Sequence, residues 1–105
     1  MNYIESAYEE SLLAYQEDEV PVGCVIVYKD KIIAKAHNKK VQSNNVFDHA
    51  EILCIKEANK YFNDWRLNDC TMYVTLEPCP MCASAIEQSR IKKIVYNLIV
   101  EIYII

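Results

Sequence analysis

The chain has 105 residues, a formal net charge of −4 at pH 7 and 52% apolar residues, enough for one small domain around a single core. That acidic balance argues against a domain held to a polyanion by overall charge. No apolar run is long enough to span a membrane, and a start carrying Glu5, Glu9 and Glu10 is unlike a signal peptide. A cytoplasmic protein with its five cysteines reduced is therefore expected, rather than a disulfide framework.

Residues 2–16 carry Tyr3, Ile4, Ala7, Tyr8, Leu12 and Tyr15 at spacings of three and four, which predicts a helix. Residues 20–28 are β-branched and apolar and read as a buried strand. Lys29-Asp30-Lys31 turns into a second strand over 32–36, so the pair forms a hairpin. Residues 39–47 read as a polar loop. A second helix starts at Asp48, whose Asp-x-x-Glu spacing to Glu51 fits a capping box, and runs to about residue 59. Residues 70–76 alternate and are rich in Thr, Tyr and Val, a third strand. Pro80 suits the first position of a third helix with Cys79 near its cap, and residues 91–96 form a fourth strand. The last two strands alternate with helices, which predicts parallel pairing and a three-layer α/β/α sandwich. With one glycine in the chain, tight turns fall to Asn and Asp, at Asn44-Asn45, Asn63-Asp64 and Asn68-Asp69.

His49-Ala50-Glu51 and Pro78-Cys79-Pro80-Met81-Cys82 carry the chemistry. One histidine and two cysteines supply three zinc ligands and leave a tetrahedral position open, as a catalytic centre requires. Taken alone, Cys-x-x-Cys is also half of a structural zinc site or a redox pair, and Glu51 alone is also a capping residue. A structural site needs a fourth ligand. His37 is the only other histidine, and Cys24, Cys54 and Cys70 lie within strands or a helix and read as small core residues. Both motifs fall at helix starts, where partial positive charge favours thiolates. A histidine with a glutamate two residues on, followed by Pro-Cys-x-x-Cys, is the zinc-deaminase pattern. The basic groups at Lys39-Lys40 and at Arg90, Lys92 and Lys93 read equally as solvated surface or as a partner patch.

Further segments extend the likeness. Glu19-Val20-Pro21-Val22-Gly23, His37-Asn38, Asp48-His49-Ala50-Glu51-Ile52, Trp65-Arg66-Leu67, Met72 through Ala83 and Ser89-Arg90-Ile91 resemble the bacterial tRNA-specific adenosine deaminases of the cytidine/deoxycytidylate deaminase zinc-binding superfamily. The resemblance covers about residues 3–96. It implies a cytidine-deaminase-type sandwich with a mixed sheet, one Zn2+ per chain on His49, Cys79 and Cys82, and Glu51 as the catalytic proton carrier. It also implies Asn38 and Ala50 as substrate contacts, a tRNA anticodon loop as partner, a homodimer, and conversion of the wobble adenosine to inosine. Val46 and Ser84 stand where the family usually has Pro and Gly. The family also continues past the fourth strand with a Gly-Ala-x-Asp segment, another strand and helices. Residues 1–96 are therefore expected to form the deaminase domain, and 97–105 an apolar tail, one that either prolongs the fourth strand or is aberrant. On that reading the fourth strand is an unprotected edge and activity on tRNA is impaired. Two other readings stay open: deamination of a free base or nucleoside such as guanine or cytosine, and a zinc-stabilised fold without activity.

Overall fold

The structure, a computed structural model, describes residues 2–96 and 100–103. Its elements are α1 (Tyr3–Gln16), β1 (Gly23–Tyr28), β2 (Lys31–His37), α2 (Lys40–Ser43), α3 (Ala50–Phe62), β3 (Thr71–Val74), α4 (Pro80–Gln88), β4 (Lys93–Tyr96) and β5 (Val100–Tyr103). The strands form one sheet in the order β2-β1-β3-β4-β5. β1 pairs antiparallel with β2 and β3, and β3 runs parallel to β4. This is the expected mixed sheet with an N-terminal hairpin and parallel later strands.

Alternation along the strands builds three layers. Cys24 and Ile26 of β1, Met72 and Val74 of β3, and Ile94 and Tyr96 of β4 share a core with Ala50, Cys54, Ile55 and Ala58 of α3 and Ile86 of α4. The intervening residues face α1: Gly23 meets its backbone, Tyr73 packs on Tyr3, and His37 reaches Glu10. β1 is covered on both faces, so its residues are almost all buried, as a continuous apolar run predicts. Cys24, Cys54 and Cys70 are fully buried and all five cysteines are free. No helix among the described residues is long and apolar enough to cross a membrane.

The predicted first helix forms as α1; it buries Ile4, Ala7, Ser11 and Ala14 and leaves Leu12 and Tyr15 exposed. The helix lies so close to the sheet at Gly23 that small side chains must line the contact. The first strand starts at Gly23, not residue 20, and the presumed loop 39–47 holds the one-turn α2. The second long helix runs on to Phe62, and its N-cap is His49 without a side-chain cap bond, so the Asp48–Glu51 capping box does not form. The histidine holds the cap position with its ring turned toward Cys79 and Cys82.

Left-handed backbone falls on Asn44, Asn63 and Asp69 as expected, and also on Asp18, Lys29, Asp30 and Arg90. Lys29 and Asp30 form a two-residue hairpin turn with both φ angles positive, which matches strand twist. The expected edge at the fourth strand is also corrected: β5 pairs antiparallel with β4 from Val100 opposite Tyr96 to Tyr103 opposite Lys93. Residues 100–103 thus turn back beside the fourth strand and do not prolong it; the rest of the 97–105 segment lies outside the described residues.

Candidate active site

Two helix starts converge on one point. His49 caps α3 and Cys79 caps α4, both with extended backbone, and Pro80 opens α4 at its first turn. Proline needs no N–H there and presets the helical φ, so Cys79 and, one turn in, Cys82 face back toward α3. His49 Nδ1 lies 3.7 Å from Cys79 Sγ and 3.5 Å from Cys82 Sγ, and the three ligand atoms all lie within 4.8 Å of one another. Tetrahedral geometry with Zn–N near 2.05 Å and Zn–S near 2.3 Å puts a nitrogen and a sulfur about 3.6 Å apart. The donor set and its spacing therefore fit one zinc ion. Among the described residues no fourth His, Cys, Asp or Glu joins the cluster, so the fourth position is left for a small molecule.

The surroundings suit a cation. Burial pushes the Cys82 thiol up, and the nearby Glu51 carboxylate adds to the shift. Holding it as a thiolate therefore calls for a metal beside it. Glu51, second residue of α3, is 4% exposed, and burial raises its carboxyl above the ordinary value while the neighbouring His49 opposes the shift.

His49, Ala50, Glu51 and Cys79 line a cavity of about 260 Å³ with Asn38, Val20, Val22, Lys40, Leu76 and Glu77. Asn38 follows β2 directly, its N–H bonded to the Val22 carbonyl at 3.1 Å. Its side chain has no hydrogen-bond partner among the described residues, so it is free for a ligand. Ala50 contributes at the start of α3, where helix geometry leaves backbone N–H groups without intrahelical partners. All the expected site residues thus meet: five line the cavity, and Cys82 lies fully buried beside His49. A larger, more open depression of about 1100 Å³ beside Trp65 and Arg90 holds none of them.

Sequence reasoning assigned no role to Glu77 or Glu19 and read Lys40 only as solvated surface or part of a partner patch. Glu77 accepts a hydrogen bond from the Tyr96 hydroxyl at 2.8 Å. His37 is fixed between α1 and the turn after it, with Nδ1 3.0 Å from Glu10 Oε1 and Nε2 3.0 Å from Glu17 Oε1. These contacts join residues far apart in sequence, and no local spacing announces them.

An α/β/α sandwich with one histidine and two cysteines at converging helix starts, and an open position facing a cavity, has the three-ligand set of a catalytic zinc centre, not the closed set of a structural one. Residues 1–98 match the cytidine and deoxycytidylate deaminase zinc-binding region, and the chain belongs to that family. It is 47% identical over 95 residues to a tRNA-specific adenosine deaminase of Bacillus subtilis, covering 90% of this chain and 59% of the relative. It is 50% identical over 96 residues to the Rickettsia typhi protein of the same name, covering 90% and 65%. The chain thus spans about three fifths of the length of these curated relatives.

Among solved structures, one from work on A-to-I editing by tRNA:A34 deaminases superposes with a TM-score of 0.88 at 41% identity, covering 90% of this chain and 72% of that one. A guanine deaminase from Bacillus subtilis also superposes with a TM-score of 0.88, at 35% identity, covering 91% and 64%.

Proposed function

We propose that the chain carries the catalytic region of a tRNA adenosine deaminase, converting the wobble adenosine of an anticodon loop to inosine by zinc-dependent hydrolysis. The observation that carries this reading is the grouping of His49, Cys79 and Cys82 beside a cavity lined by His49, Cys79, the buried Glu51 and the unpartnered Asn38 side chain. The tRNA substrate is supported by the names and identities of the relatives.

His49 Nδ1 and the Cys79 and Cys82 sulfurs would hold the zinc, which when bound supplies Lewis-acid activation of water at neutral pH. Glu51 takes a proton from the attacking water and delivers it to the adenine ring nitrogen next to the reacting carbon. The new C–O bond forms at the carbon bearing the amine. Glu51 then carries the second proton to the amine, the C–N bond breaks, ammonia leaves and a carbonyl remains. A raised carboxyl pKa suits this shuttle, since the same group must both accept and give up protons. Asn38 and the Ala50 backbone orient the base by hydrogen bonding. The reading places the protein in the cytoplasm as a homodimer, on the strength of the family resemblance, and sedimentation of the zinc-loaded protein measures the latter.

The test is inosine formation in an arginine-tRNA anticodon stem-loop by zinc-quantified protein, with Glu51→Ala as control. Inosine that vanishes in the control is the expected result. A second reading, deamination of a free base, draws on the equally close superposition with the guanine deaminase. Ammonia release from guanine or cytosine without inosine in RNA would select it.

A further inference from the structure

We propose that Glu19 is a positioning residue for substrate: its carboxylate holds the Asn38–Lys40 wall of the cavity in place. The proposal rests on the deaminase reading and adds a residue to it. Glu19 is 5% exposed and is fixed at both ends. Its backbone sits at the stop of α1, where Asp18 takes a left-handed φ of 60°. The Asp18 and Glu19 N–H groups bond back to the Tyr15 and Ala14 carbonyls at 3.2 and 2.9 Å. This is a Schellman stop with aspartate in place of the usual glycine.

The Glu19 side chain then crosses to another segment. Its Oε1 accepts from the Val41 N–H at 3.0 Å and its Oε2 from the Gln42 N–H at 2.8 Å. These are the second and third residues of α2, a helix of 4 residues whose own N-cap, Lys39, supplies no side-chain bond. A single turn is not stable by itself, so the carboxylate caps it from across the fold.

Three elements of the cavity wall depend on that clamp. Val20 follows Glu19 in the chain, Lys40 is the first residue of α2, and Asn38 stands two residues before it. The Gln42 side chain adds a bond to Glu17 Oε1 at 2.7 Å, tying the same two segments a second time. Burial works against the charge on Glu19, and the Gln42 and Val41 amides more than offset it, leaving the carboxyl below its ordinary value. An amide in place of the carboxylate keeps one acceptor and aims a second donor at a backbone N–H, so Glu19→Gln breaks the clamp without changing volume.

The experiment compares wild type, Glu19→Gln and Glu19→Asp, each zinc-loaded, with two readouts. In stem-loop deamination Glu19→Gln is expected to raise KM on the order of tenfold and leave kcat within about twofold, because the displaced groups bind substrate and the zinc and Glu51 do not move. Glu19→Asp keeps both oxygens on a shorter arm and recovers part of the loss. In amide hydrogen exchange, residues 38–42 are expected to exchange on the order of tenfold faster in Glu19→Gln, with α3 and α4 unchanged. A folded Glu19→Gln with wild-type KM, or with wild-type exchange over 38–42, overturns the proposal. So does a joint loss of kcat and bound zinc, which would mark a general structural role. If wild type forms no inosine, the deaminase reading fails, and the exchange readout still decides the fate of the clamp.

Discussion

Gly23→Ala tests how closely the layers are stacked. Gly23 opens β1 and pairs with His37. A Cβ added there would collide with the Ala7 carbonyl oxygen and the Ser11 backbone nitrogen and would stand 2.8 Å from Glu10 Cβ. The first two atoms belong to the backbone of α1, so no side-chain rotation relieves the clash and the helix itself must move away. Overpacking typically costs about 1–3 kcal/mol, and a backbone collision belongs at the upper end, near 3 kcal/mol. For a domain of this size each kcal/mol shifts Tm by roughly 4–8 °C, so the melting point should fall by about 12–24 °C. Thermal unfolding of zinc-loaded protein followed by far-ultraviolet circular dichroism reads the change. Ala7→Gly added to Gly23→Ala should not restore stability, because the colliding atom of Ala7 is its carbonyl. A loss smaller than about 1 kcal/mol, or rescue by Ala7→Gly, would refute the reasoning.

Removing a ligand should act on zinc before it acts on the fold. His49→Ala and Cys82→Ala are each expected to reduce zinc from about one per chain to a small fraction of that, measured by elemental analysis after dialysis. Glu51→Gln should keep its zinc and lose about 10²–10⁴ in deamination rate, measured in single-turnover assays; zinc loss in this variant would point to a ligand role instead. The pH dependence of stability should carry the mark of Glu19. Its folded carboxyl titrates below the ordinary 4.5, so its contribution is complete above that value and disappears as pH falls through the lower, folded one. Urea midpoints of wild type and Glu19→Gln should therefore differ most above the ordinary carboxyl value of 4.5 and converge as pH falls below it.

Much of this was legible in the sequence for local reasons. The β1–β2 hairpin, the parallel β3–β4 pair and the placement of Pro80 follow from periodicity and turn chemistry that a few residues carry. The zinc set was legible because Cys79 and Cys82 share a helix turn and His49 sits at another helix start. What escaped depends on tertiary distance. Helical spacing marked α1 but not the face it buries, which is set by the close approach of Gly23 to the helix backbone at Ala7 and Ser11. The capping box does not form because α3 starts one residue later than Asp48 would cap it, with His49 as its N-cap. α2 could not be read from 39–47, since its cap comes from Glu19. The pairing of β5 is a register between strands, and alternation within 97–105 does not encode it.

The register explains why the motifs meet. Gly23 lies opposite His37, Cys24 opposite Val74, and Val74 opposite Tyr96. The start of β1 and the ends of β2, β3 and β4 therefore share one margin of the sheet. Val22, Asn38 and the Leu76–Cys79 segment leave from that margin, and α3 and α4 begin beside it with their N-terminal partial charges toward the same space. Open α/β sheets place ligand sites outside the carboxyl ends of parallel strands, and here β3 and β4 supply those ends. The antiparallel hairpin adds Asn38 from the end of β2, a contribution that a purely parallel sheet would make only through another crossover helix. Moving β2 by one residue would turn His37 away from Glu10 and Glu17 and carry Asn38 off the cavity. The β1–β2 register is thus as much a part of the site as the zinc ligands. A Lys29-Asp30 turn lengthened by one residue should lower substrate affinity while leaving bound zinc intact, a separation that kinetics together with elemental analysis can measure.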